Sequence, residues 1–87
     1  MNFDVVWKDE ADQDLAAAWM KAADPDAVTV AANRIEQILR RDPLGHGESR
    51  GGDDRLLFEG PLAVAYRVDA PARRVLVLSL GLFGRHS

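Results

Sequence analysis

Apolar and polar residues alternate at the start of the chain, with Phe3, Val5 and Trp7 set against Asn2, Asp4 and Lys8. This period-two pattern predicts a short strand with one buried face, blurred only by Val6. Asp9 then offers an N-cap, and Asp12 stands three positions on, where a carboxylate suits the positive helix end. A first helix is predicted from about Glu10 to Ala23. Its stripe is Leu15, Trp19 and Ala22 or Ala23 at i, i+4 and i+7, bordered by Met20. Asp24-Pro25-Asp26 stops that helix and starts another, because the residue before proline avoids the helical region while proline fits the first helical position. The second helix should span about Pro25 to Arg41, with Val28, Ala32, Ile35 and Leu39 on one face, Ile38 beside them, and Arg40 and Arg41 at the cation-favouring end. So short a link implies an antiparallel helical hairpin.

After Asp42-Pro43 the period changes. Leu44 to Asp54, rich in Gly, Asp and Ser, reads as a loop. Arg55 to Glu59 reads as a strand with Leu56 and Phe58 on one face, and Gly60-Pro61 turns the chain. In Leu62 to Asp69 the residues Leu62, Val64, Tyr66 and Val68 point one way and Ala63, Ala65, Arg67 and Asp69 the other. Beyond Ala70-Pro71-Ala72-Arg73, the strand Arg74 to Leu82 sets Leu76, Leu78, Leu80 and Leu82 against Val75, Val77, Ser79 and Gly81. The expectation is an α+β single domain over residues 1–87: an N-terminal strand, a helical hairpin, then a three-stranded antiparallel meander. Its larger apolar set meets the helices, leaving a second face of small residues punctuated by Arg55 and Arg67.

Composition narrows the class. The 87 residues are 47% hydrophobic and 29% charged, which suits one globular core and argues against disorder. There is no cysteine, so neither disulfides nor thiolate metal sites are expected, and a cytoplasmic setting fits. The N-terminus lacks the pattern of a signal peptide, no apolar run suits a membrane helix, and no membrane association is expected. The net charge of -3 divides unevenly: residues 1–43 carry five Lys/Arg against nine Asp/Glu, residues 44–87 six Arg against five Asp/Glu. Guanidinium groups bind phosphate bidentately, so an anionic partner suits the second half; solvated strand edges explain the same arginines.

The chain lacks a Walker-type glycine loop, a Gly-x-Ser-x-Gly elbow and any histidine pair at helical spacing. No metal and no cofactor is expected. Gly45-His46-Gly47 suits a turn without chemistry. Tyr66 shares the apolar face of its strand and reads as core. Arg67, mid-strand on the face of small side chains, is the leading candidate for phosphate contact, with Glu59 the cross-strand partner that would instead make it structural. Arg50 and Arg55 reach toward the same face from its loop end, unless Glu48, Asp53 or Asp54 pairs with them. Arg85 and His86 complete the candidate set if the terminus folds back beside that face.

Several segments resemble the RelE/ParE superfamily of type II toxins. Phe3-Asp4-Val5-Val6-Trp7 with Glu10-Ala11 looks like its first strand and helix start, Asp42-Pro43-Leu44 like its exit from the second helix, and Gly47-Glu48-Ser49-Arg50 like one branch's passage into the sheet. Arg55-Leu56-Leu57-Phe58, Leu62-Ala63-Val64-Ala65-Tyr66-Arg67-Val68 and Val75-Leu76-Val77-Leu78-Ser79-Leu80 are similar to its sheet motif. The resemblance covers nearly the whole chain.

It implies a growth-inhibiting toxin, of the kind associated with plasmid stabilisation, neutralised by a cognate antitoxin. RelE-like members cleave mRNA on the ribosome with lysines and arginines around the meander; here Ala63 falls where the middle strand usually carries arginine, and both lysines, Lys8 and Lys21, lie in the first half. ParE-like members inhibit DNA gyrase by binding and need no catalytic set, which fits better. A RelE-like nuclease with a reduced set (Arg67, Arg55, Arg50, Arg85, His86) and a non-toxic binding module that kept the fold are the alternatives, so whether the chain is an enzyme stays open at this point.

Overall fold

The computed structural model describes residues 2–83. Seven elements follow one another: β1 (Asp4–Trp7), α1 (Asp9–Lys21), α2 (Pro25–Arg41), β2 (Glu48–Ser49), β3 (Asp54–Glu59), β4 (Leu62–Asp69) and β5 (Arg74–Leu82). The strands form one sheet in the order β1-β5-β4-β3-β2. β1 runs parallel to β5 and the remaining neighbours are antiparallel. The parallel pair is possible because the two helices cross one face of the sheet before the chain returns. The expected meander is therefore β3-β4-β5, extended by β1 on one side and on the other by the two-residue β2, which lies within the span predicted as loop.

α2 has the predicted bounds. Pro25 occupies its first turn and the Asp24 carboxylate accepts the Ala27 N–H at 3.3 Å, so cap and proline act together. Val28, Ala31, Ile35 and Leu39 are buried on it. α1 departs from expectation at both ends. Lys8, not Asp9, is the N-cap, without a side-chain hydrogen bond, and the helix ends at Lys21. Its inner stripe is Ala11 and Ala18, with Leu15 and Ala22 packed partly against the core. Trp19, expected on that stripe, is 50% exposed. The physical reason is a small rotation: two alanines seven residues apart let α1 approach β5 closely, and Trp19 is carried outward toward α2.

The core lies between the helices and one sheet face. Fully buried Ile35, Leu39, Leu62, Val64, Tyr66, Val75 and Val77 dominate it, each worth about 1.5–3 kcal/mol of apolar transfer. Two changes of phase decide which residues face it. In β5, Ala65 is opposite Ser79 whereas the next β4 residue, Tyr66, is opposite Val77. Leu78 is thus the extra residue of a β-bulge, and alternation inverts across it. Val75 and Val77 point to the helices together with Leu80, while Leu76, opposite Arg67, points away. The expectation that Leu76, Leu78, Leu80 and Leu82 share the core face is corrected accordingly.

In β3, Leu57 is buried opposite Val64, and Leu56 and Phe58 stand opposite Ala65 and Ala63 on the other face. Three consecutive apolar residues admit either phase, and pairing with β4 selects this one. Arg55 is consequently opposite Tyr66 on the helix side, so its expected place on the open face is also corrected.

One latch fixes the chain after α2. The buried Tyr66 hydroxyl lies 2.8 Å from the Pro43 carbonyl oxygen and 3.0 Å from that of His46. Gly47, with φ +75°, passes so close that a Cβ there would stand 2.7 Å from this hydroxyl and 2.9 Å from the Leu56 carbonyl oxygen, leaving room for glycine alone.

Candidate functional site

The face of the sheet turned away from the helices is where the sequence places its candidates. Four rows cross it. Asp4, Arg74 and Asp69 are in register at one end. Val6, Leu76, Arg67 and Asp54 form the next row. Toward the far end lie Leu56, Phe58, Ala63, Ala65, Ser79 and Gly81, closed by Phe83, whose ring meets that of Phe58 edge-on at 5.0 Å. Phe58 and Phe83 are 46% and 41% exposed, and nothing among these seven residues is charged.

Arg67 stands on this face as expected but is engaged. Its Nε donates to Asp54 Oδ1 at 2.6 Å and its Nη2 to Oδ2 at 3.3 Å. The partner is Asp54, not Glu59, which instead accepts from Arg34 of α2. This fork holds the Asp54 carboxyl below the usual carboxylate range, chiefly through the Arg67 hydrogen bond, and raises Arg67 by the same bond. The groove lined by Asp4, Val6, Arg67, Asp69, Arg74 and Leu76 has an apolar floor and mixed charges at its rim.

The other candidates do not join it. Arg55 lies on the helix side, where Nε donates to the His46 carbonyl oxygen at 3.2 Å and Nη2 to that of Gly47 at 3.3 Å. Burial pushes the adjacent Tyr66 phenol up, against a smaller lowering by Arg55. Both residues are thereby accounted for by the latch. Arg50 pairs with Glu48 at 3.6 Å. Arg85 and His86 lie outside the described residues. Among the described residues no cluster of three or more His, Asp or Glu could hold a metal ion, and no helix is long and apolar enough to cross a membrane.

A second surface escaped the sequence reading. Leu15 and Trp19 of α1 face Val28, Thr29, Ala32 and Asn33 of α2 across a shallow groove. Met20 and Val30 add exposed apolar area to the helical layer, at 80% and 54%. The available signal was Ala11-x3-Leu15-x2-Ala18: this alternative stripe at i, i+4 and i+7 leaves Trp19 at its margin. Four acidic residues, Asp9, Glu10, Asp12 and Asp14, lie in the N-terminal half of α1.

No family model matches the chain, and no curated relative matches it. Solved structures do. A chain of the RelBE2 toxin-antitoxin complex of Mycobacterium tuberculosis superposes with a TM-score of 0.78 at 20% identity, over 95% of this chain and 100% of that one. A chain of the archaeal RelE-RelB complex of Pyrococcus horikoshii OT3 gives 0.70 at 18% identity, over 99% and 100%. A chain of the chromosomal ParDE system of P. aeruginosa gives 0.67 at 21% identity, over 94% and 97%. The strand, helical hairpin and meander deduced above are thus the fold seen in structures of the RelE/ParE superfamily.

Proposed function

We propose that this protein is the toxin component of a type II toxin-antitoxin pair and that it acts by binding a protein target, in the manner of ParE, without cleaving RNA. The observation that carries the choice is the Arg67–Asp54 fork, which ties up the mid-strand arginine beside the uncharged half of the open face. Phosphodiester cleavage needs a base near the 2′-hydroxyl and cations free to meet developing phosphate charge. Here Arg67 is engaged, Arg74 lies in register between two carboxylates, Asp4 and Asp69, Arg55 serves the latch, and Ala63 holds the middle-strand position. A face of Leu56, Phe58 and Phe83 over small residues is better suited to apolar contact with another protein.

An antitoxin partner fits the helical groove. Leu15, Trp19, Val28 and Ala32 leave an apolar channel that an amphipathic helix can fill, and the acidic α1 favours basic residues in that segment. All three solved relatives named above are toxin-antitoxin systems, which supports the same reading.

The test is biochemical. Purified protein should block supercoiling by DNA gyrase and leave mRNA intact in a translation extract. Codon-specific cutting of ribosome-bound mRNA, lost in Arg67→Ala, would instead establish the nuclease. Inactivity in both assays would leave a binding module that kept the fold.

A further inference from the structure

A cleft at the C-terminal end of α2, on the helix side of the sheet, is used by neither surface above. Arg34, Gln37, Ile38 and Arg41 fall at i, i+3, i+4 and i+7 of one helix face, and Asp42 and His46 close its end. At 1.5 Å rise per residue the two arginines lie about 10.5 Å apart along the axis. The cleft holds about 280 Å³.

Its charges are unequally engaged. Glu59 of β3 accepts from Arg34 Nη1 at 3.1 Å. Asp42 accepts the Gly45 N–H through Oδ1 at 3.1 Å, and its Oδ2 lies 3.9 Å from His46 Nε2. Glu59 is therefore paired, while Asp42, held by a backbone N–H, keeps its negative charge at the end of the cleft. What remains is a set of donors: the Arg41 guanidinium, which has no ion-pair partner among the described residues, the Gln37 amide, and the unused N–H groups of Arg34. A cation in the last helical turn complements the helix dipole. That role explains Arg41's charge but not its alignment with Arg34 and Gln37 along one open cleft.

We propose that this cleft binds a phosphate group carried by a nucleotide or a nucleic-acid strand. Guanidinium forks match phosphate oxygens bidentately, and the Arg41 fork, with the Gln37 amide and the Arg34 N–H groups that Glu59 leaves over, offers a phosphate group several donors along one helix face. The protein's net charge of -3 makes such contact local and salt-sensitive. The proposal is independent of the toxin reading, so failure of either leaves the other standing.

The experiment is a backbone-amide NMR titration of the full chain with four probes: inorganic phosphate, AMP, a short oligouridylate and a poly-glutamate peptide. Shifts should concentrate in residues 34–46, and a response to the oligouridylate well beyond that to AMP would assign the source to a strand. For the strand, log affinity should fall with log salt at a slope of about -1.4, two phosphates at roughly -0.7 each. Arg41→Glu, whose side chain has no ion-pair partner to lose among the described residues, should weaken binding tenfold or more, and Arg40→Gln, on another face of the same turn, should leave it unchanged. Absence of shifts with every phosphate probe, shifts elsewhere, indifference to Arg41→Glu, or an equal response to poly-glutamate would each overturn the proposal.

Discussion

Arg67 Nε stands 2.6 Å from Asp54 Oδ1 across β3 and β4, and this fork decides how the open face is read. It also makes a pH prediction. The Asp54 carboxyl is held below its ordinary value by Arg67, so its contribution to stability is present above the unfolded-state value of about 3.9 and is lost as pH falls through the lower folded value. Carboxyl-carbon NMR should find Asp54 titrating below 3.9 in the wild type and nearer the ordinary value in Arg67→Gln. Identical titrations in the two proteins would show that the fork does not persist in solution.

The latch predicts a stability change without a change of fold. Tyr66→Phe removes the hydroxyl contacts to the Pro43 and His46 carbonyls and should cost about 1 kcal/mol, read as a lower urea midpoint with an unchanged slope. A variant as stable as the wild type would mean that the loop is held by Arg55 alone.

The bulge at Leu78 predicts an inverted sensitivity along β5. Val77→Ala, in the core, should cost about 2 kcal/mol, whereas Leu76→Ser, on the open face, should cost less than about 1 kcal/mol. The strict alternation read from the sequence predicts the reverse order, so the pair of variants discriminates between the two phases.

Asp14 links helix and sheet beyond the end of β1. Its Oδ2 accepts the Leu80 N–H at 3.1 Å, satisfying a donor that β1, paired only with Arg74 to Val77, does not reach. Asp14→Ala should accelerate hydrogen exchange at the Leu80 amide at least tenfold, with little change at Val75 and Val77. Equal protection in both proteins would remove this role.

These contrasts show what was legible in the residues. α2 was legible because its signals are local: Pro25 at the first turn, a sustained apolar period, and Asp42-Pro43 beyond it; only Ala31 takes the buried place expected of Ala32. The β4 pattern was equally clear, since Leu62, Val64, Tyr66 and Val68 are buried and the residues between them are not. The phases of β3 and β5 were misread because Leu56-Leu57-Phe58 and Val75 to Leu78 are apolar throughout; partner strands and a bulge, both non-local, settle them. The site was legible only in part. Arg67 was placed correctly on the open face, but its partner depended on register, and Arg55 crossed to the helix side with the phase of β3. The helical groove was hidden because Trp19 fits two stripes, and only the close packing of Ala11 and Ala18 selects one.

The central claim, a toxin restrained by an antitoxin, is tested most directly by bacterial growth upon induction of the chain alone and together with the small protein encoded next to it. The account predicts arrest in the first case and recovery in the second, with Trp19→Asp in the groove retaining toxicity but losing the rescue. Unimpeded growth with the chain expressed alone, at levels where the folded protein is recovered, would contradict it.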